Sequence, residues 1–339
     1  MLSSALVAVA LSVSGVIAAP GLSLQLSGAR AFAGVQSAVV SATLTNTGDE
    51  TLTVLNHPKS VLSKAATNTF AIANEANSAT PRFTGAIFKY VPDQATSFTV
   101  LAPGESVTVE HSLAEAYDFT RSGSGSYSIE PSSSAFLIKT DSGVETVYAD
   151  TIAHTAHLGG ALAVEKPAEA KRAVFNGCSS TRQSQVSQAA IDAQSYAAAA
   201  YSYLQSHTSS TTRYTTWFGT WTSSRYTTVK SHYQKISGRN FSSATYDCSC
   251  TEDAYAYTYA DEPGHTWLCS VYWSAPATGT DSKAGTLIHE SSHWSATAGT
   301  QDYVYGQSGA KSLARSNPSE AIENADSHEY FAENNPALS

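Results

Sequence analysis

Charge is scarce in this chain: Asp, Glu, Lys and Arg together make up only 14% of its 339 residues. The 19 Lys and Arg are outnumbered by 28 Asp and Glu, for a formal charge of −9. Nucleic acid and anionic membrane both reward clustered basic residues, so neither is expected as a partner. Cysteine occurs four times and never before Cys178. No stretch beyond the N-terminus approaches the roughly twenty apolar residues that a membrane-spanning helix needs. What remains is 42% hydrophobic and rich in Ser, Thr, Ala and Tyr. That is a globular composition, and the length suits two domains, each able to bury its own core.

The N-terminus lacks Lys and Arg, yet Ala5 to Ile17 is a mostly apolar run of signal-peptide length. Val16-Ile17-Ala18-Ala19 supplies small residues for cleavage before Pro20. Residues 1–19 are therefore expected to be a secretion signal and the protein to be extracellular. Cys178, Cys248, Cys250 and Cys269 agree with export, since an even number of cysteines in an oxidising compartment points to two bridges. Spacing leaves all three pairings open. The Cys-x-Cys spacing fits a ribbon-type zinc site poorly. Asn240-Phe241-Ser242 is a glycosylation sequon.

Residues 20–160 read as short strands separated by Gly and Pro. Ser41 to Thr45 and Thr51 to Leu55 alternate on either side of Thr47-Gly48-Asp49-Glu50, which predicts a hairpin. The pattern predicts an all-β, sandwich-like domain. A charged segment follows, Glu165 to Arg172, ending in the dibasic pair Lys171-Arg172, and it reads as an exposed linker with a processing site. Beyond it, Thr181 to Ser206 has the spacing of an amphipathic helix, and Thr215 to Ile236 that of a second. Ser243 to Trp273 turns to period two with cysteines at both ends, as in a bridged hairpin. A signal (1–19), a cysteine-free β-rich pro-segment (20–172) and a cysteine-bearing domain (173–339) make up a pre-pro-protein. Latency through a cysteine thiol is excluded, because the pro-segment has none. His154 and His157 in that segment have no special metal geometry.

The chemistry concentrates in His289-Glu290-Ser291-Ser292-His293. On a helix, residues four apart share a face, so two imidazoles can converge on one Zn²⁺ at about 2.0–2.1 Å each. Glu290, one step round, stands beside the open coordination position and can take a proton from a water the metal has acidified. Asp281 or Ser282 can cap this helix.

The third ligand narrows the class. A metzincin would carry Gly at position 296 and His at 299, but Ala296 and Gly299 stand there. A thermolysin-like enzyme would use a later Glu, for which Glu320 and Glu323 are candidates. Instead, Gly299-Thr300-Gln301-Asp302-Tyr303-Val304-Tyr305-Gly306 follows. Gly299 can end the helix and turn Asp302 back to the metal, and the phenol of Tyr305 can donate to a tetrahedral oxyanion.

His289-Glu290-x-x-His293 followed by Gly299-Thr300-x-Asp302-x-x-Tyr305-Gly306 resembles the deuterolysin, or aspzincin, metallopeptidases. Arg213 to Gly219, Gly285 to His293 and Asn324 to Phe331 are similar to the fungal peptidyl-Lys branch of that family. The resemblance covers 174–339 and implies an α+β, zincin-like catalytic domain, mainly helical, with a disulfide-bridged β-hairpin. It implies one Zn²⁺ per chain on His289, His293 and Asp302, Glu290 as general base and Tyr305 as transition-state donor. It also implies the disulfides Cys178–Cys248 and Cys250–Cys269. Finally, it implies cleavage on the amino side of lysine, with Asp326 and Glu329 lining the pocket.

The residues bear on that last point independently. Asn317-Pro318-Ser319-Glu320 is a helix start, and on that helix Asp326 and Glu329, three apart, share a face. Two carboxylates aimed into one pocket suit an ammonium. His328 is expected to support the site or lie at the surface, not to ligate. The reading is a secreted zinc endopeptidase made as a zymogen. Its partners are protein or peptide substrates and its own propeptide in cis, and the mature form is expected to be monomeric. The alternatives are a broad-specificity deuterolysin-like protease, or a secreted binding protein with a structural zinc.

Overall fold

A computed structural model describes residues 21–90, 92, 96–164 and 175–339. The expected signal at 1–19 and the Lys171-Arg172 pair lie outside these residues.

The first half is built from strands. In chain order they are β1 Leu22–Gly28, β2 Ala31–Phe32, β3 Val39–Asn46, β4 Leu52–Leu55, β5 Phe70–Asn74, β6 Arg82–Phe83 and β7 Ala86–Lys89. β8 Phe98–Leu101 and β9 Ser106–Ser112 follow, then a one-turn helix α1 Leu113–Ala116. The set ends with β10 Tyr117–Asp118, β11 Gly125–Pro131, β12 Ala135–Thr140, β13 Gly143–Ile152 and β14 His154–Leu158. One sheet runs β8-β4-β12-β13-β1-β3-β9 and a second β2-β14-β11-β5. Alternation puts Leu22, Leu24 and Leu26 of the first sheet and Phe70, Ile72, Tyr127 and Ile129 of the second into one core.

The expected hairpin between 41–45 and 51–55 does not form. β3 pairs with β1 and β9, β4 with β8 and β12, and three strands separate the two. The buried Asn46 side chain accounts for this. Its amide donates to the carbonyls of Glu50 (2.7 Å) and Leu101 (2.9 Å), tying the end of β3 to the β3–β4 connection and to the end of β8.

The second half carries β15 Phe175–Asn176, α2 Ser180–Ser206, α3 Thr212–Phe218, α4 Ser223–Ser237, β16 Thr245–Asp247, β17 Ala256–Tyr259 and β18 His265–Leu268. Then come α5 Lys283–His293, α6 Gly306–Ser316, α7 Pro318–Ala321 and α8 Ala325–Glu333. Cys178 bonds Cys248, and Cys250 bonds Cys269. In α2 the buried Val186, Ala189, Ala190, Ala193, Ala197 and Ala200 form one stripe whose small side chains let α5 pack close.

Two helices expected as single are broken. The segment 215–236 stops at Gly219, whose φ is 75°. A Cβ there would stand 2.1 Å from the Ala314 carbonyl oxygen. Thr222 restarts the helix as a cap, accepting from the Arg225 amide. The helix begun by Asn317 likewise ends at Ala321 and resumes only at Ala325.

The sheet of the second half runs β15-β16-β18-β17-β7, so its outer strand comes from the first half. β7 pairs antiparallel with β17 in the register Lys89↔Ala256, Phe88↔Tyr257, Ile87↔Thr258 and Ala86↔Tyr259. No described helix is long and apolar enough to cross a membrane.

Candidate metal centre and active site

Ser282 starts α5, its hydroxyl accepting from the Gly285 amide at 2.9 Å. Every residue from Lys283 to His293 is buried. Helical spacing brings the His289 and His293 rings edge to face, with centroids 4.9 Å apart. Asp302 reaches them from the loop beyond the helix, and the break between α7 and α8 holds that loop. Gln301 N donates to Glu323 O (2.8 Å), and Ala325 N donates to Gln301 O (3.0 Å). Asn324 Oδ1 accepts from the amides of Tyr303 and Val304 at 3.0 and 3.2 Å. The break is thus part of what brings Asp302 home.

Asp302 Oδ1 lies 3.2 Å from His289 Nε2 and 3.4 Å from His293 Nε2. All three side chains are fully buried, and these three atoms have no hydrogen-bond partner among the described residues. Buried polar atoms left unpaired are costly, so the cluster calls for a cation. A tetrahedral zinc with bonds of about 2.0–2.1 Å separates its ligand atoms by about 3.3 Å. The observed spacings fit. His293 Nδ1 is 2.8 Å from the Thr300 carbonyl oxygen, which can only accept, so the proton sits on Nδ1 and the Nε2 lone pair is free.

The electrostatics agree. Burial alone would lower the His289 pKa, but Asp302, Asp326 and Glu329 overcome it and hold the pKa well above the usual range. Burial would raise Asp302, but His293 and His289 hold it well below. Surroundings that favour a proton this strongly also favour a metal cation. Glu290 is fully buried, and both its oxygens lack a partner among the described residues. Burial pushes its carboxyl up to about 8, with His289 opposing.

Asp326 and Glu329 lie on one face of α8, which packs on α5. Asp326 Oδ1 is 2.8 Å from His289 Nδ1, although off the line of a good ring N–H bond, and Asp326 Oδ2 accepts from Gly306 N at 2.6 Å. Between the two carboxylates lies the fully buried ammonium of Lys89, from β7. Its Nζ is 2.5 Å from Glu329 Oε2, 3.5 Å from Asp281 Oδ1 and 3.8 Å from Asp326 Oδ1. The rings of Tyr255 and Tyr330 flank it at 4.8 and 5.9 Å. Burial disfavours the charge, but the three carboxylates outweigh it and raise the Lys89 pKa well above normal.

A family model described as lysine-specific metallo-endopeptidase, the aspzincin type, matches residues 203–333. A peptidyl-Lys metalloendopeptidase of Armillaria mellea is 54% identical over 97% of this chain and 96% of its own length. The chain belongs to the aspzincin family. It is a metalloendopeptidase. A second peptidyl-Lys metalloendopeptidase, from Grifola frondosa, is 49% identical over the full length of both chains. A solved zinc peptidase from Grifola frondosa is 55% identical over 48% of this chain and 100% of its own, with a TM-score of 0.47.

The other residues of this aspzincin weighed from the sequence are not part of the metal cluster. The side chains of Glu320 and Glu323 join no metal-competent cluster among the described residues. His154 contacts the Ala29 carbonyl oxygen at 3.1 Å in the β-domain. His328 is fully buried, not at the surface. Its Nε2 lies 3.1 Å from His232 Nδ1, and it joins no metal-competent cluster among the described residues. Asn240 is exposed.

Three contributors escaped the sequence reading. Asp281, considered only as a cap, instead accepts from Tyr330 OH at 2.6 Å and faces Lys89. Glu333 accepts from the Ser282 amide and hydroxyl at 2.9 and 2.7 Å, pinning α8 to the start of α5. Its position four after Glu329 was the available signal. Lys89 had none, because nothing local links it to residues 240 positions away.

Proposed function

We propose that the chain is the precursor of a secreted zinc endopeptidase that cuts on the amino side of lysine. The observation carrying this reading is the buried Lys89 ammonium among Asp281, Asp326 and Glu329, next to the His289–His293–Asp302 cluster. A desolvated cradle of carboxylates around an ammonium is a lysine pocket by its chemistry, and one lysine already fills it.

In this reading His289, His293 and Asp302 hold one zinc ion. When bound, the ion supplies Lewis acidity, polarising the scissile carbonyl and acidifying water toward pKa ~7. Glu290 accepts a proton from the attacking water and returns it to the leaving nitrogen. Its dry surroundings raise its proton affinity, and a cation at the neighbouring histidines would favour the ionised form that accepts the proton. Tyr305 donates its phenolic proton to the carbonyl oxygen as negative charge develops there. Asp326 steadies His289 through Nδ1 and contributes charge to the pocket, while Glu329 and Asp281 receive the lysine head. The β-domain is the propeptide and residues 173–339 the enzyme, with Lys171-Arg172 as the processing pair. Two disulfides support export.

Digestion of casein by the matured enzyme, with and without a chelator, tests this. New fragments should begin with lysine, and chelation should abolish them. Glu290→Gln should retain zinc and lose activity by about 10²–10⁴-fold. Fragments with no preference for lysine would make the enzyme a broad-specificity member of its family.

A further inference from the structure

The backbone around Lys89 carries more than its side chain does. β7 adds antiparallel to β17, the edge that the second half's own sheet would otherwise leave open. Adding an extended segment to a sheet edge is a general mode of peptide recognition. Tyr255 N donates to the Lys89 carbonyl at 3.0 Å, which holds the chain on the far side of the lysine. Phe88 stacks on Tyr257 with centroids 4.7 Å apart. On the near side, the Phe88 carbonyl oxygen accepts from Tyr305 OH at 3.0 Å, and the same hydroxyl lies 3.2 Å from Asp302 Oδ2. The carbonyl of one particular peptide bond, Phe88–Lys89, is therefore held at the phenol beside the metal cluster. The residue following that bond has its ammonium in the acidic pocket. A second strap from the same domain, Lys59, donates to the Asp302 carbonyl at 2.9 Å.

We propose that β7 is bound as the enzyme's own first substrate and that Phe88–Lys89 is a self-cleavage site. This rests on the lysine-directed reading above. In the step, water adds to the Phe88 carbonyl carbon and the C–N bond breaks. The Lys89 nitrogen takes up the proton, leaving a carboxylate on Phe88 and a new amino terminus at Lys89. Until that cut, Lys89 excludes lysine substrates. After it, the edge of β17 and the pocket can exchange their occupant.

The test uses the full precursor, purified in chelator and started by adding zinc. Intact mass and terminal sequencing follow the cut. A product ending at Phe88 with its complement beginning at Lys89 is expected, at a first-order rate independent of protein concentration. Glu290→Gln should yield neither piece. Lys89→Ala should slow the cut on the order of 100-fold or more, because the pocket's carboxylates are left unpaired. Near-UV circular dichroism checks that this variant is folded, and the wild-type mapping stands even if it is not. Absence of a terminus at Lys89, or a rate that rises with precursor concentration, overturns the proposal. The matured enzyme's cuts in casein separate the two levels. Cuts before lysine without self-cleavage defeat only this inference, whereas cuts indifferent to lysine defeat the specificity reading beneath it.

Discussion

Lys89 and Glu329 stand 240 residues apart in sequence and 2.5 Å apart in space, both fully buried. Taking either charge out of water alone would cost several kcal/mol, and removing one partner of such a pair costs about 3–5 kcal/mol. The pocket thus holds an ammonium, and in the proposed processing departure of the β-domain would leave carboxylates in need of another one.

The two acidic residues of α8 should separate under mutation. Asp326 lies nearer His289 than Lys89 (2.8 against 3.8 Å), whereas Glu329 makes the close ammonium contact. Asp326→Asn is expected to weaken zinc affinity by about 10–100-fold, as for other groups that orient a ligand. Glu329 Oε2 also lies 3.3 Å from His289 Nδ1. Glu329→Gln is therefore expected to raise KM for lysine peptides by a factor worth about 2 kcal/mol or more and to weaken zinc binding less than Asp326→Asn does. Metal titration beside peptide kinetics measures both, and identical profiles for the two variants would refute the division.

Tyr305→Phe should lower kcat by roughly 10²–10³-fold with little change in KM, since the phenol is needed most when charge develops on the carbonyl oxygen. Steady-state kinetics of the matured variant decides, and an unchanged kcat would remove Tyr305 from the reaction.

Gly285 is a test of packing. A Cβ there would fall 2.0 Å from Glu333 Oε1 and 2.9 Å from Glu329 Oε1, the carboxylates that cross it from α8. Gly285→Ala should therefore destabilise by about 1–3 kcal/mol and disturb the pocket as well. Thermal unfolding with a parallel KM measurement reads both effects. A variant as stable and active as the parent would mean that α5 and α8 are not so tightly apposed.

Chelation should lower the melting temperature as well as stop catalysis. The unpaired atoms of His289, His293 and Asp302 are buried in the folded chain only, so a metal at ~100 times its Kd stabilises by about 2.7 kcal/mol. Calorimetry with chelator and then with restored zinc checks this, and a midpoint indifferent to metal would count against the site.

The parts that proved legible were local. His289 and His293 needed only helical spacing, the Ser282 cap needed only its neighbours, and the 180–206 helix announced itself by its alanine stripe. Breaks were harder. Gly219 reads as an ordinary helix interruption only once Ala314 is known to lie against it. The α7–α8 break answers to the Asp302 loop and not to any breaker residue of its own. Strand pairing was hardest, because β3 and β4 carry alternation that any partner in the sheet satisfies, and the Asn46 contacts decided between them.

Sequence alone determined the candidate chemistry of this chain: two imidazoles and a glutamate on one helical turn, a following aspartate, and cysteines confined to one half. Those rules act within a few residues, where backbone geometry leaves little choice. The tertiary structure decided which carboxylates surround the ammonium and which lysine supplies it. It also decided that the Phe88 carbonyl lies against Tyr305. These depend on packing between segments hundreds of residues apart, where the cost of burying charge, and not local propensity, selects the partner.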